Sequence, residues 1–182
     1  MSSLSSYRVY ALVLASVAAC ADSKESTAPR GNDPAATAPS FTLATGSTST
    51  LLGRTTFSDP KDPNFKVKRI ARDWQVDIRA MPAMDIAVQS IAFNPGAQSG
   101  WHSHPGPVFI QVVSGTIKFY ESDDPACTPI IRTAGQGYLD EGEHAHIARN
   151  ESGAPAQTIV TYFAPPGVPL RIDEPRPGNC PF

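Results

Sequence analysis

No run of this 182-residue chain is both long and apolar enough to cross a membrane as a helix. The longest apolar stretch, Val9 to Ala19, falls well short of the roughly 20 residues that a span needs. A basic patch or stripe is missing too. The 15 Lys and Arg are set against 17 Asp and Glu, for a formal charge of −2. This argues against a nucleic-acid partner, which needs a positive footprint. No segment has sustained helical periodicity with capping signals, so a helical bundle is not expected. Cysteine is scarce, at three residues. The four histidines all lie in two short pairs, His102-Ser103-His104 and His144-Ala145-His146.

Each scarcity leaves something informative. The short apolar run behind Arg8 reads as the core of a signal peptide over residues 1–19. It ends Val17-Ala18-Ala19-Cys20, which resembles a bacterial lipobox. That resemblance implies cleavage before Cys20, lipidation of that cysteine, and a place in the bacterial cell envelope, periplasmic or outer-membrane-associated. Membrane contact would then be through the lipid anchor only. Residues 20–60 are rich in Ala, Ser, Thr, Pro and Gly and read as a flexible tether. Residues 61–172 are then one domain, followed by a tail, 173–182. Cys127 and Cys180 form an even pair in an exported chain. They read as a disulfide tying that tail back.

Proline and glycine recur about every ten residues along the domain, which suits short strands joined by turns. The expected strands are Phe65–Ile70, Met84–Phe93, Val108–Val113, Thr116–Glu121, Ile130–Thr133, His144–Arg149 and Thr158–Phe163. Ser114-Gly115 is expected to close a tight hairpin. Gly135 to Tyr138 reads as a turn, and the mixed-charge stretch from Arg72 to Arg79 as solvated surface. So many short strands predict an all-β barrel or jelly roll.

Side chains of a strand alternate faces, so each His-x-His pair aims both imidazoles one way. Two such strands can converge on one point. Imidazole suits Fe, Ni, Cu and Zn. The pattern therefore predicts a single divalent transition-metal ion, with Mn also admitted.

The spacing of these residues carries a family resemblance. Gly96, His102-x-His104 and Gly115 resemble the first motif of the cupin superfamily. Gly135 or Gly137, Gly142, His146 and Asn150 resemble the second. The chain looks like a small single-domain, secreted cupin, which implies a double-stranded β-helix jelly roll. In that alignment the family's glutamate ligand falls on Val108, which cannot bind a metal. The third histidine ligand lies between His144 and His146; the spacing to Asn150 favours His146, leaving His144 as a neighbour or substitute. Glu141 and Glu143 flank the second motif as candidate replacements for the lost carboxylate.

A three-histidine site leaves a divalent ion at its full charge, a stronger Lewis acid than one with an added carboxylate. The resemblance implies a precedent in dioxygenases that hold iron on three histidines. The function expected is a metal-dependent oxidoreductase of dioxygenase type, or a lyase, acting on a small molecule. The alternative is a lipoprotein that binds metal or ligand without turnover. Val108, Ile110 and Val112 share one parity and are expected to wall the pocket, with Tyr138 and Gln98 as weaker candidates. Trp101, beside the first pair, is expected at the rim or surface. A homodimer is compatible with the sequence. Metal affinity is expected to fall below about pH 6.5, where exposed imidazole protonates.

Overall fold

Burial alternates residue by residue along Val108–Ser114: Val108, Ile110 and Val112 are buried, while Phe109 and Val113 are exposed. A strand reads this way when one face meets a core and the other meets solvent. Ala156–Ala164 does the same, with Ala156, Thr158, Val160, Tyr162 and Ala164 inward. The computed structural model describes residues 40–58, 64–68, 75–79, 83–142 and 144–182. It contains no helix among those residues.

The strands are β1 (Thr45–Phe57), β2 (Asn64–Lys68), β3 (Gln75–Arg79), β4 (Met84–Gln98), β5 (His102–Ser103), β6 (Val108–Ser114), β7 (Thr116–Glu121), β8 (Ile130–Thr133), β9 (Gly137–Asp140), β10 (His146–Arg149), β11 (Ala156–Ala164) and β12 (Ile172–Asp173). One antiparallel layer runs β1-β4-β11-β6-β9. The other runs β12-β5-β10-β7-β8. The pairing Arg149↔Gln98 joins β10 to β4 and nearly closes the barrel. Strands β2 and β3 make a separate hairpin. The expected all-β barrel is therefore the observed architecture.

The interior between the layers is apolar, built on Phe93, Val108, Val112, Ile117, Phe119 and Val160. A second buried cluster lies elsewhere and consists of Trp101, Tyr120, Ile147 and Cys180. Cys127 and Cys180 are joined by a disulfide across 53 residues of sequence. The tail so held covers Trp101, whose Nε1 donates to the Phe182 carbonyl at 3.4 Å. Trp101 is fully buried, contrary to the surface reading, because the tail supplies its cover.

Three further expectations are corrected. The tether assigned to 20–60 contains β1, which pairs with β4 from Thr45↔Gln98 to Phe57↔Met84. Its composition is polar because its side chains are mostly exposed, yet its backbone finds partners along β4. The boundary at 61 is therefore too late. Second, Ser114-Gly115 does not close a hairpin. β6 pairs with β11 and β9, β7 with β10 and β8, so the turn carries the chain between layers. Gly115 has φ +72°, and a Cβ there would meet the Pro155 carbonyl oxygen at 2.7 Å. Third, the glycine-rich turn runs on into a strand, β9. The signal peptide and Cys20 lie outside the described residues, as does Glu143.

Candidate metal centre

Strand β5 lies between β10 and β12, and its pairing places His146 directly opposite His102. His104 follows two residues on. The side chains of His102, His104 and His146 are all buried, and one ring nitrogen from each lies within 4.8 Å of the others. Their ring centroids are 4.4 to 5.2 Å apart.

Two of the three imidazoles are oriented from behind. His102 Nδ1 donates to the Gly100 carbonyl at 2.9 Å, and His104 Nδ1 to the Leu170 carbonyl at 2.6 Å. A carbonyl can only accept, so the proton sits on Nδ1 and the Nε2 lone pair is free. Such a hydrogen bond behind the ring is how metal-binding histidines are held. Gly100 makes its part possible: it has φ +71°, and a Cβ there would come within 2.0 Å of the Thr42 carbonyl oxygen.

His144 is not in this cluster. It is exposed, with Nε2 3.7 Å from Asp123 Oδ2. The swap-in role considered for it has no geometric basis, because β10 begins at His146 and His144 precedes it on the outer turn. Glu141 is exposed and does not take the place of the missing carboxylate.

Strand β9 brings in a residue the sequence reading did not single out as a site residue. Asp140 stands opposite Val108 in the β6–β9 register, and both are buried. Its Oδ1 accepts the Gly142 N–H at 2.9 Å. Its Oδ2 lies 3.3 Å from His146 Nδ1 and 3.7 Å from His104 Nε2. Neither Asp140 Oδ2 nor His146 Nδ1 has a hydrogen-bond partner. The available signal was parity: Tyr138 and Asp140 are the inward pair of Gly137–Asp140.

The electrostatics agree with the geometry. Burial pushes the His102 pKa down to about 3, with the charges of Arg171 and His104 adding to the effect. Burial lowers His104, while the Leu170 carbonyl and the Asp140 charge pull the other way. Burial holds His146 well below the exposed value, reinforced by its two histidine neighbours. The same burial raises Asp140. Burial therefore keeps the imidazoles neutral, the ligand form, to lower pH than an exposed ring, so proton competition begins lower than exposed imidazole implies. Three neutral imidazoles with a ring nitrogen of each gathered together, and an orphaned carboxylate oxygen beside two of them, fit a divalent transition metal.

A small cavity of about 30 Å³ adjoins the three histidines. Its walls include Ile91, Phe93, Ile110, Phe119 and Val160. Ile110 thus lines the pocket as expected from its parity. Val108 and Val112 point inward in the same row but belong to the surrounding core. Tyr138 stacks on Phe119, with centroids 4.1 Å apart, and donates to Glu121, so it packs beside the site. Gln98 does not reach the pocket. Its Oε1 accepts from Arg149 Nη1 at 3.2 Å, because it ends β4 where β10 crosses. Tyr162, missed by the sequence reading, faces His104 at 5.3 Å between centroids and donates to Gln89 Oε1 at 2.9 Å.

Residues 90–162 match the family described as cupin domain. Among solved structures, the chain is similar to an uncharacterised conserved protein with a double-stranded β-helix domain from Klebsiella pneumoniae. That match has 18% identity and a TM-score of 0.43, and covers 50% of this chain and 76% of that one. It is also similar to the cupin domain of an XRE family transcriptional regulator from Enterobacter cloacae, at 18% identity and a TM-score of 0.41, covering 67% and 99%. A polyketide cyclase from Streptomyces resistomycificus matches at 12% identity and a TM-score of 0.43, covering 69% and 75%. Among curated proteins, none matches the chain.

Proposed function

We propose that this chain, a member of the cupin superfamily, holds one divalent transition metal on His102, His104 and His146 and uses it to bind and transform a small molecule. The observation that carries this reading is the convergence of three buried, neutral imidazoles, two of them oriented through Nδ1 by backbone carbonyls. When bound, the ion supplies Lewis acidity and coordination positions open to a ligand. The chain's own residues do the rest. The Gly100 and Leu170 carbonyls hold two rings in their binding tautomer. Phe93, Ile110 and Val160 give the site an apolar wall that limits water around the ion. A small molecule with a chelating or anionic head and a short apolar body suits this wall. Oxygenase or lyase chemistry is the corresponding reaction class.

A second reading, binding without turnover, is favoured by one observation. The lining hydroxyls with assigned partners are committed: Ser99 Oγ donates to the Gly100 carbonyl and accepts the Ala148 N–H, and Tyr162 donates to Gln89. Burial also pushes the Tyr162 pKa up to about 12, which makes it a poor base.

The cell envelope is the proposed location. The apolar run ending Val17-Ala18-Ala19-Cys20 and the disulfide of Cys127 with Cys180 support an exported protein in an oxidising compartment.

Elemental analysis of untagged protein tests the metal, and oxygen uptake with a panel of diketones, phenols and thiols tests the reaction. About one equivalent of a transition metal is expected. Metal-free protein that takes up none from solution defeats the reading. Metal without turnover on any of the panel favours the binding reading.

A further inference from the structure

We infer that Asp140 is the fourth, anionic ligand of the metal centre, its Oδ2 binding the ion alongside His102, His104 and His146. The inference rests on the three-histidine reading above and adds the charge that reading lacks.

The argument starts from an atom without a partner. Asp140 is buried, its Oδ1 is tied to the Gly142 N–H, and its Oδ2 accepts nothing. A buried carboxylate oxygen left unsatisfied is costly, and native proteins rarely retain one without a compensating group. What faces this oxygen sharpens the point. His104 Nε2, 3.7 Å away, carries a lone pair because its Nδ1 proton is committed to Leu170. Two electron-rich atoms pointing at each other repel unless a cation lies between them. His146 Nδ1, at 3.3 Å, is close enough for a hydrogen bond but not aligned for one, so it too is unpartnered.

The two spacings that Asp140 Oδ2 makes, to His146 and to His104, fall within the range for atoms sharing an ion. With metal–nitrogen and metal–oxygen bonds of about 2.0–2.2 Å, neighbouring ligand atoms stand roughly 3.0–3.7 Å apart, depending on the angle. The sequence position has a physical logic as well. Val108 occupies the place where the resembled motif carries its glutamate, and Asp140 is Val108's register partner on β9. Directly opposed residues of an antiparallel pair project to the same face. The carboxylate thus stands across the ladder on the adjacent strand, with its Oδ2 beside His104 and His146. A bound divalent ion then keeps a net charge of +1 rather than +2. This tempers its Lewis acidity and shifts preference away from strongly anionic ligands.

The test titrates metal-free full-length protein with Co²⁺, following affinity and the visible ligand-field bands, for wild type, Asp140→Asn and the pair Asp140→Asn with Val108→Glu. Asparagine keeps the acceptor for Gly142 and removes only the charge. Asp140→Asn is expected to weaken Co²⁺ binding at least tenfold and to shift the bands. Val108→Glu in that background is expected to restore part of the affinity. An affinity within twofold of wild type overturns the inference, as does weaker binding with unchanged bands, which would mean that Asp140 acts only through His146. Infrared difference spectra of the wild type on metal addition read the same point without a variant: a shifted carboxylate stretch is expected, and its absence counts against ligation. If wild type binds no Co²⁺, or binds it equally well after His102→Ala, the three-histidine reading fails and this inference falls with it. Loss on His102→Ala with none on Asp140→Asn sinks only the fourth ligand.

Discussion

His102 and His146 are register partners across β5 and β10, their ring centroids 4.4 Å apart, although 44 positions separate them in the chain. This pairing turns two sequence motifs into one site, and it ranks the histidines by what each can do.

Alanine in place of His102, His104 or His146 is expected to remove most bound metal, whereas His144→Ala is expected to retain it. Elemental analysis after equal metal loading reads the difference. A metal that binds only the folded state also stabilises it, by about 2.7 kcal/mol at 100 times Kd. Melting curves with and without metal should show that gain in wild type and His144→Ala alone. A His144→Ala protein as empty as the other three would contradict the geometry.

Acid is expected to destabilise the metal-free protein early. His102 titrates at 6.5 in its reference state and at about 3 in the fold. Between those values the unfolded chain binds a proton that the folded chain does not, so stability falls as pH falls through that window. His104 and His146 are lowered by the same burial and act in the same direction. Asp85 extends the effect downward. Its carboxyl is held down to about 2 by Thr56 and the Gly167 N–H, so its contribution is lost below the reference 3.8. Asp140, raised by burial, offsets part of this, because it takes up a proton more readily in the fold. Melting temperatures of apo protein should therefore drop steadily from about pH 7 to about pH 4. A flat profile would show that the imidazoles are not buried as described.

Reducing the Cys127–Cys180 bond is expected to cost roughly 4 kcal/mol, from the chain entropy of a 53-residue loop. Urea midpoints with and without reductant measure it. Tryptophan emission should move to longer wavelength in parallel, because the tail that covers Trp101 is no longer held. An unchanged midpoint would mean that the tail docks on its own contacts.

Asn150→Ala is expected to cost about 3 kcal/mol, since it removes the donor shared by several buried carbonyls. The Asn150 amide donates to the carbonyls of Phe93, Asn94 and Ala154, while its oxygen accepts from Ser152. Metal content should survive this change, because Asn150 does not contact the imidazoles. Loss of metal from a protein that still melts cooperatively would assign Asn150 to the site instead.

Period-two patterning, proline and glycine spacing and two histidine pairs were enough to identify an all-β barrel and the residues facing its interior. Val108, Ile110 and Val112 are legible because alternation is local, set by the pleat of one strand. His102 and His104 are legible for the same reason. What the sequence could not determine are relations between strands. β1 is polar and looks like tether, and only β4 beside it makes it a strand. Ser114-Gly115 has the chemistry of a hairpin turn, and only the competing pairings of β6 with β11 and β7 with β10 make it a crossing between layers. Trp101 is buried only because a tail some 80 residues away is folded over it. Asp140 is an ordinary loop-like acid until β9 is laid against β6, which puts its carboxylate opposite Val108 and against two imidazoles. Strand formation and facing follow from local backbone geometry. Register and layer order follow from which distant backbones satisfy each other's hydrogen bonds, and that is decided only when the chain is folded.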